Sequence, residues 1–252
     1  MICYIDMEHE IALQTEEQRE NHRVWCEDVR QRLAQIAGDE CQVRRYDQIT
    51  RQWLDAAQVR ALVLSGNVTD WPEYTPDSLR EIIVIVRQAA RPVLGLCGGL
   101  QLIALAYDVP VGPMRPLAPG ERDPDPEMGG GYFKEWGFTP VRVTRSDPLF
   151  DGLSEAPIFL AAHYAESKGT PPGFELLAST DACRVQAIRQ TGKPVYGVQF
   201  HPEAYTETPD DRRSWLVRTV YPQGYPQAQP DGRTLLTNFF RIAGIPKATY
   251  RD

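Results

Sequence analysis

Pro92-Val93-Leu94-Gly95-Leu96-Cys97-Gly98-Gly99-Leu100-Gln101-Leu102-Ile103 is a short apolar run, an abrupt turn with Cys97 at its apex, and the first residues of a helix. A side chain carried on a strand-to-helix elbow demands unusual backbone angles and close neighbours, which the glycines at 95, 98 and 99 tolerate. The elbow is expected to expose the sulfur. A helix starting just after it aims its positive end at that sulfur and favours the thiolate. Alone, Gly-x-Cys-x-Gly is equally compatible with a buried structural cysteine, the usual fate of a lone Cys on an apolar strand.

The same grammar of apolar run and helix repeats upstream. Ile2-Cys3-Tyr4-Ile5 reads as a first strand, and Trp25, Val29, Leu33 and Ile36 recur at helical spacing across 16–37 before Gly38 ends the helix. A strand over 41–46, a short helix over 51–57 and the unbroken run Ala61-Leu62-Val63-Leu64 follow. A helix over 76–90, burying Leu79, Ile82, Ile83 and Val86, then leads into the elbow. Continuous apolar strands alternating with helices predict an α/β fold: a mostly parallel central sheet with helices on both faces. Downstream, antiparallel-looking strands near 135–145, 157–162, 174–179 and 184–189 predict a smaller antiparallel edge sheet. A terminal helix over 235–243 has Gly244 and Pro246 as its stop. With 252 residues and 42% hydrophobic content, 1–252 is expected to be one domain carrying irregular insertions near 112–134 and 204–232.

About a hundred residues beyond Cys97, the strand Val195-Tyr196-Gly197-Val198-Gln199-Phe200 ends in His201-Pro202-Glu203. A nucleophilic cysteine needs a base and a group that orients the base, and His201 with Glu203 supplies both. Residues two apart on an extended chain point the same way, so the Glu203 carboxylate is expected to reach the imidazole.

With both segments in view, the chain resembles the class I, triad-type glutamine amidotransferases. Gly95 to Gln101 is similar to that family's nucleophile segment and Val198 to Glu203 to its histidine segment, in the same order. Leu62-Val63-Leu64-Ser65-Gly66, Glu135-Trp136-Gly137, His163-Tyr164-Ala165-Glu166, Pro172-Gly173-Phe174 and Asn238-Phe239-Phe240 resemble further landmarks. The resemblance implies a flavodoxin-like fold and a catalytic triad of Cys97, His201 and Glu203. It implies a glutaminase that passes through a cysteine thioester intermediate. It also implies an oxyanion hole from Gly66, Asn67 and Gly98, with Gln101 touching the bound glutamine. The family's Gly-Gly-Pro loop reads Gly66-Asn67-Val68 here, which alters the setting of that hole although a backbone donor survives any side chain. His163 is expected either to line the substrate pocket or to play a structural part.

The net charge of -7 and the absence of a Lys/Arg cluster argue against a nucleic-acid binder; the pairs Arg44-Arg45 and Arg212-Arg213 read as solvated faces. Five scattered cysteines without Cys-x-x-Cys predict neither disulfides nor a metal site, and suit a reducing cytoplasm. The N-terminus has no secretory pattern, and no apolar run reaches the roughly 20 residues of a membrane helix. His9 and His22, among charged residues, read as surface side chains. Gly129-Gly130-Gly131 is not a phosphate loop, since no Lys-Ser/Thr follows it. No cofactor is expected. ATP-driven use of the ammonia therefore calls for a separate synthase subunit that holds the acceptor. The alternatives are an autonomous hydrolase of γ-glutamyl amides or peptides, or a non-catalytic regulatory subunit on the same scaffold. The aromatic-rich stretch over 204–232, starting next to Glu203, is expected to form a lid or a docking surface, or else to pack on the outside.

Overall fold

The computed structural model describes residues 1–209, 211 and 213–245. Arg212 and Pro246 of the sequence reading lie outside the described residues. The chain opens with β1 (Ile2–Asp6), α1 (Glu16–Ala37), β2 (Cys41–Arg45), α2 (Arg51–Ala56) and β3 (Ala61–Leu64). It continues through α3 (Pro76–Gln88), β4 (Val93–Leu96) and α4 (Gly98–Ala106). Local chemistry sets these bounds. Thr15 and Gln18 form a reciprocal capping box at the start of α1, and Gly38 ends it in the left-handed region at φ 61°. Thr75 caps α3 ahead of Pro76, whose fixed φ suits a first helical residue.

Short strands follow: β5 (Val111–Pro113), β6 (Glu135–Pro140), β7 (Arg142–Val143), β8 (Ile158–His163), β9 (Ala165–Ser167), β10 (Phe174–Ser179), β11 (Ala187–Gln190) and β12 (Val195–Val198). The chain closes with α5 (Trp215–Val220) and α6 (Asp231–Ile242). The 204–232 stretch, expected to be wholly irregular, thus contains α5 and the start of α6. The last helix begins four residues before its expected start, because the hydrophobic stripe that signalled it is confined to Leu235, Leu236, Phe239 and Phe240.

One eight-stranded sheet runs β2-β1-β3-β4-β12-β11-β10-β7. Its first five strands are parallel, and β11, β10 and β7 extend it antiparallel. The antiparallel part is thus an edge of the main sheet, joined by two separate two-stranded ribbons, β5-β9 and β6-β8.

The period-2 geometry of β1 shows how both faces are covered. Ile2 and Tyr4 pack with Val29, Leu33, Leu236 and Phe239 from α1 and α6. Cys3 and Ile5 pack with Leu54, Ile82, Val86 and Ile103 from α2, α3 and α4. On α3 the fourth buried residue is Ile85, and Ile83 is only partly covered. Each buried aliphatic side chain of α3 contributes about 1.5–3 kcal/mol. No helix among the described residues is long and apolar enough to cross a membrane.

The carboxyl ends of parallel strands are where such sheets expose ligand loops. Here four strands of the parallel part, β1, β3, β4 and β12, deliver Glu8, Gly66, Cys97 and His201 to one edge.

Candidate active site

Cys97 follows the last residue of β4 and precedes the first of α4, with φ 50° and ψ −105°. A non-glycine residue in this region is strained, and the surrounding fold has to hold it there. The unusual angles expected of the neighbouring glycines fall on the cysteine itself. The glycines serve close approach instead: a Cβ on Gly95 would lie 2.4 Å from the Gly99 carbonyl carbon, and one on Gly99 2.6 Å from the Leu64 carbonyl oxygen. The Cys97 N–H donates to Val198 O at 2.8 Å and ties the elbow to β12. The sulfur was expected to be exposed. Cys97 is in fact 6% accessible and opens only into a narrow cleft.

His201 and Glu203 are both buried, and His201 Nδ1 lies 2.7 Å from Glu203 Oε1. Sequence spacing anticipated this contact through an extended strand. The contact exists because Pro202–Ala204 form a tight 3-10 turn that folds Glu203 back under the ring. The His201 N–H donates to Leu160 O at 2.8 Å, anchoring the turn to β8. Burial alone would push the His201 pKa down. The Glu203 carboxylate and the Cys97 sulfur outweigh burial and raise it to about 10. A Cβ placed on Gly66 would sit 3.1 Å from His201 Cε1 and 3.4 Å from Cys97 Cβ, so this glycine leaves room for imidazole and cysteine together.

The loop after β3 is pinned by a residue that sequence reasoning missed. Glu8, 4% exposed, accepts from the Val68 N–H at 2.7 Å, the Thr69 N–H at 3.2 Å and the Thr69 hydroxyl at 2.7 Å. Asn67 Nδ2 donates to Thr69 O at 2.6 Å, while Asn67 Oδ1 lies where a Cβ on Gly98 would approach to 1.7 Å. The departure from the usual glycine at position 67 therefore fits because residue 98 has no side chain.

Gln101 is buried rather than on a helix surface, and its amide is spent inside the protein. It accepts from Trp71 Nε1 at 2.8 Å and donates to Ala165 O at 3.0 Å and Gln199 Oε1 at 3.3 Å. His163 borders the cleft, yet its ring nitrogens face Ala165 O at 3.1 Å and Glu135 Oε2 at 3.0 Å. It is thus pocket wall and structural post at once. Thr180 and Gln186 also donate to Glu135, which saturates that carboxylate.

The cleft holds only about 40 Å³ of open space, room for one or two waters. Its walls include Cys97, Gln101, Asn67, Trp71 and His163, and Met128 and Tyr164 complete it. Met128 comes from the 112–134 insertion. Gly129, with φ 56°, brings that loop onto Tyr164, whose ring a Cβ would meet at 2.4 Å, and the Tyr164 hydroxyl donates to Asp70. The 204–232 stretch, expected as a lid, a docking surface or outside packing, meets the site through aromatic contacts. Trp215 stacks on Trp25 at 5.2 Å, Trp25 meets the His201 ring edge-on at 6.2 Å, and Tyr221 and Tyr225 pack on Phe138. This segment reaches the His201 ring through Trp25.

Two clusters among the described residues place three ligand-type atoms within 4.8 Å of one another: Asp6, His22, Cys26 and Glu135, His163, Cys183. In each, the histidine already pairs with the carboxylate at 3.0 Å. His22, expected on the surface, is half-buried through that contact.

A doubly wound sheet that carries a strained cysteine elbow and a His-Glu pair on adjacent strand ends is the setting of an α/β amide-hydrolysing enzyme. The profile of the family described as Glutamine amidotransferase class-I matches residues 21–214, and the chain belongs to that family. A glutamine-hydrolyzing GMP synthase subunit of Methanocaldococcus jannaschii is 36% identical over 151 residues, 60% of this chain and 68% of that protein. The glutamine-hydrolyzing GMP synthase of Clostridium novyi is 33% identical over 188 residues, 74% of this chain but 28% of that protein. A crystal structure described as a candidate GMP synthase subunit from Thermoplasma acidophilum superposes with TM-score 0.61 at 25% identity, covering 97% of this chain and 94% of that one. A glutamine amidotransferase of Thermotoga maritima shares the fold, with TM-score 0.62 at 13% identity over 96% and 97% of the two chains. The α/β class and the amide-hydrolysing enzyme type expected from the sequence stand on these matches.

Proposed function

We propose that the chain hydrolyses the side-chain amide of glutamine through a Cys97 γ-glutamyl thioester. The observation that carries this reading is the juxtaposition at one sheet edge of the strained Cys97 elbow with the buried His201-Glu203 pair. His201 holds the Cys97 proton as an imidazolium, and the thiolate attacks the amide carbon, forming a C–S bond and a tetrahedral oxyanion. The oxyanion is met by backbone N–H groups of Gly98 and of the 66–67 loop; Glu8 commits the Val68 and Thr69 amides elsewhere, which narrows the loop's donors to Gly66 and Asn67. Collapse breaks the C–N bond, and the imidazolium gives its proton to the departing nitrogen, releasing ammonia. Water, deprotonated by the same imidazole, attacks the thioester; glutamate leaves and the thiol is restored. Glu203 fixes the ring tautomer and supports its charge throughout.

The ammonia is proposed to pass to a separate synthase subunit that activates an acceptor with ATP. The matched relatives' names point to a GMP synthase assembly as the first to test. Met128 and Tyr164 border the narrow cleft, so docking of a partner next to them would couple glutamine entry to the acceptor's presence. A second reading, an autonomous γ-glutamyl amide or peptide hydrolase, draws on the same wall of the cleft, because Met128 belongs to the long 112–134 insertion beside which a larger leaving group would lie.

The test is glutamate release from glutamine by the purified chain, with Cys97→Ala as the blank. Cys97-dependent turnover that rises on adding the ATP-dependent part of a GMP synthase supports the first reading. Turnover of γ-glutamyl amides faster than glutamine supports the second. No turnover, and no labelling of Cys97 by a glutamine-like electrophile, overturns both.

A further inference from the structure

Gln199, fully buried, precedes Phe200 and His201 and takes no part in the mechanism above. Its Nε2 lies 3.5 Å from Cys97 Sγ, within the reach of an N–H to sulfur hydrogen bond. Which end of an amide faces a neighbour has to be settled by its partners, and here they settle it completely. The Trp71 indole can only donate, and its Nε1 is 2.8 Å from Gln101. The Ala165 carbonyl can only accept, and it lies 3.0 Å from the other end of the same amide. Gln101 is therefore oriented with its oxygen to Trp71 and its NH2 toward Ala165. That NH2 has a second proton, which reaches the Gln199 oxygen at 3.3 Å. With its oxygen so engaged, Gln199 turns its own NH2 to the sulfur.

We propose that Gln199 is a further catalytic residue whose side-chain amide donates a hydrogen bond to the Cys97 sulfur, and that Trp71, acting through Gln101, is a positioning residue that sets the direction of this donor. The inference rests on Cys97 being the nucleophile of the reading above. A donor aimed at the sulfur favours thiolate over thiol, and the strained elbow fixes the sulfur where the donor meets it. The polarity runs one way, from an indole that never accepts to a sulfur that gains from accepting. Reversing either amide would set two donors or two acceptors face to face inside a buried site.

The experiment follows the rate of Cys97 alkylation by iodoacetamide against pH in the full chain, with the site read by peptide mass spectrometry. Cys97→Ala serves as the blank. The variants are Gln199→Leu, which removes the donor, and Trp71→Phe, which keeps an aromatic ring and removes the indole N–H. Gln199→Leu is expected to move the alkylation profile upward by about one pH unit and to slow labelling at neutral pH roughly tenfold; Trp71→Phe is expected to move it the same way by less. An unshifted Gln199→Leu profile with native thermal unfolding overturns the proposal, and a shift in Gln199→Leu without one in Trp71→Phe overturns the relay. If Gln199→Leu does not fold, the Trp71→Phe profile alone decides, shifted in favour and unshifted against. Should wild-type Cys97 label no faster than the other buried cysteines at any pH, the nucleophile reading itself fails, an outcome distinct from an unmoved profile on a reactive Cys97.

Discussion

Replacing Glu8 by Gln tests whether the proposed oxyanion loop is held by a carboxylate that touches no substrate. Glu8 Oε1 accepts from the His9 N–H at 3.0 Å, the Thr69 N–H at 3.2 Å and the Thr69 hydroxyl at 2.7 Å, and Oε2 accepts from the Val68 N–H at 2.7 Å. A glutamine keeps its oxygen where three donors meet, so its NH2 faces the Val68 N–H. One hydrogen bond to a charged acceptor is lost, about 1.5–3 kcal/mol, and two donors are set against each other. Val68 has to shift, and Asn67, bonded to it, shifts as well. Deleting an oxyanion donor outright costs about 10²–10³ in kcat. Displacing one is therefore expected to lower kcat about 10-fold to 100-fold, with KM within about twofold and Tm lower by about 5 °C. Glutamate release and thermal unfolding measured on the same preparations check this. If Tm falls while kcat stays within twofold of wild type, the loop's position is irrelevant to turnover and the reasoning fails.

Gly98→Ala drives a methyl group into Asn67 Oδ1, so turnover is expected to fall at least 100-fold, and the double variant Asn67→Gly/Gly98→Ala to recover part of it in the same assay. His201 titrates higher in the fold than in the unfolded chain, so its imidazolium stabilises the fold. This contribution is complete below about 6.5 and is lost as pH rises toward about 10. The Tm gap between wild type and His201→Gln is expected to narrow across that window, and a gap that widens with pH contradicts the pairing. Met128→Ala opens the cleft roof and is expected to raise kcat/KM for bulky γ-glutamyl amides more than for glutamine; equal changes for both would deny Met128 a role in admitting substrate.

The strands and helices around Cys97 were legible because each is a contiguous run whose period states its environment: Val93 to Leu96 apolar throughout, Leu79, Ile82 and Val86 at helical spacing. The place of Cys97 at a strand-to-helix elbow and the contact of His201 with Glu203 were legible for the same reason, each lying on a short segment whose residues explain one another. Glu8 was not. It meets Val68 and Thr69 only because β1 and β3 are neighbours in the sheet, and nothing near it in the chain announces a partner some 60 positions away. Gln199 and Trp71 were hidden in the same way, joined through Gln101 by three separate segments. The expectation of a lid in 204–232 rests on that stretch abutting Glu203. Adjacency in the chain does not name the insertion residue that borders the Cys97 cleft: that is Met128, which arrives from the other insertion through a bend at Gly129.

The pairing of β4 with β12 sets Leu96 beside Val198, in register, one residue before the cysteine and three before the histidine. The cysteine and the histidine are thus spaced by a ruler of peptide groups. A designer could shorten, exchange or graft the 114–134 segment to change what enters the cleft or what docks beside it. The distance between sulfur and imidazole would carry over unaltered, in the way a vice keeps its jaw spacing whatever workpiece is clamped between them.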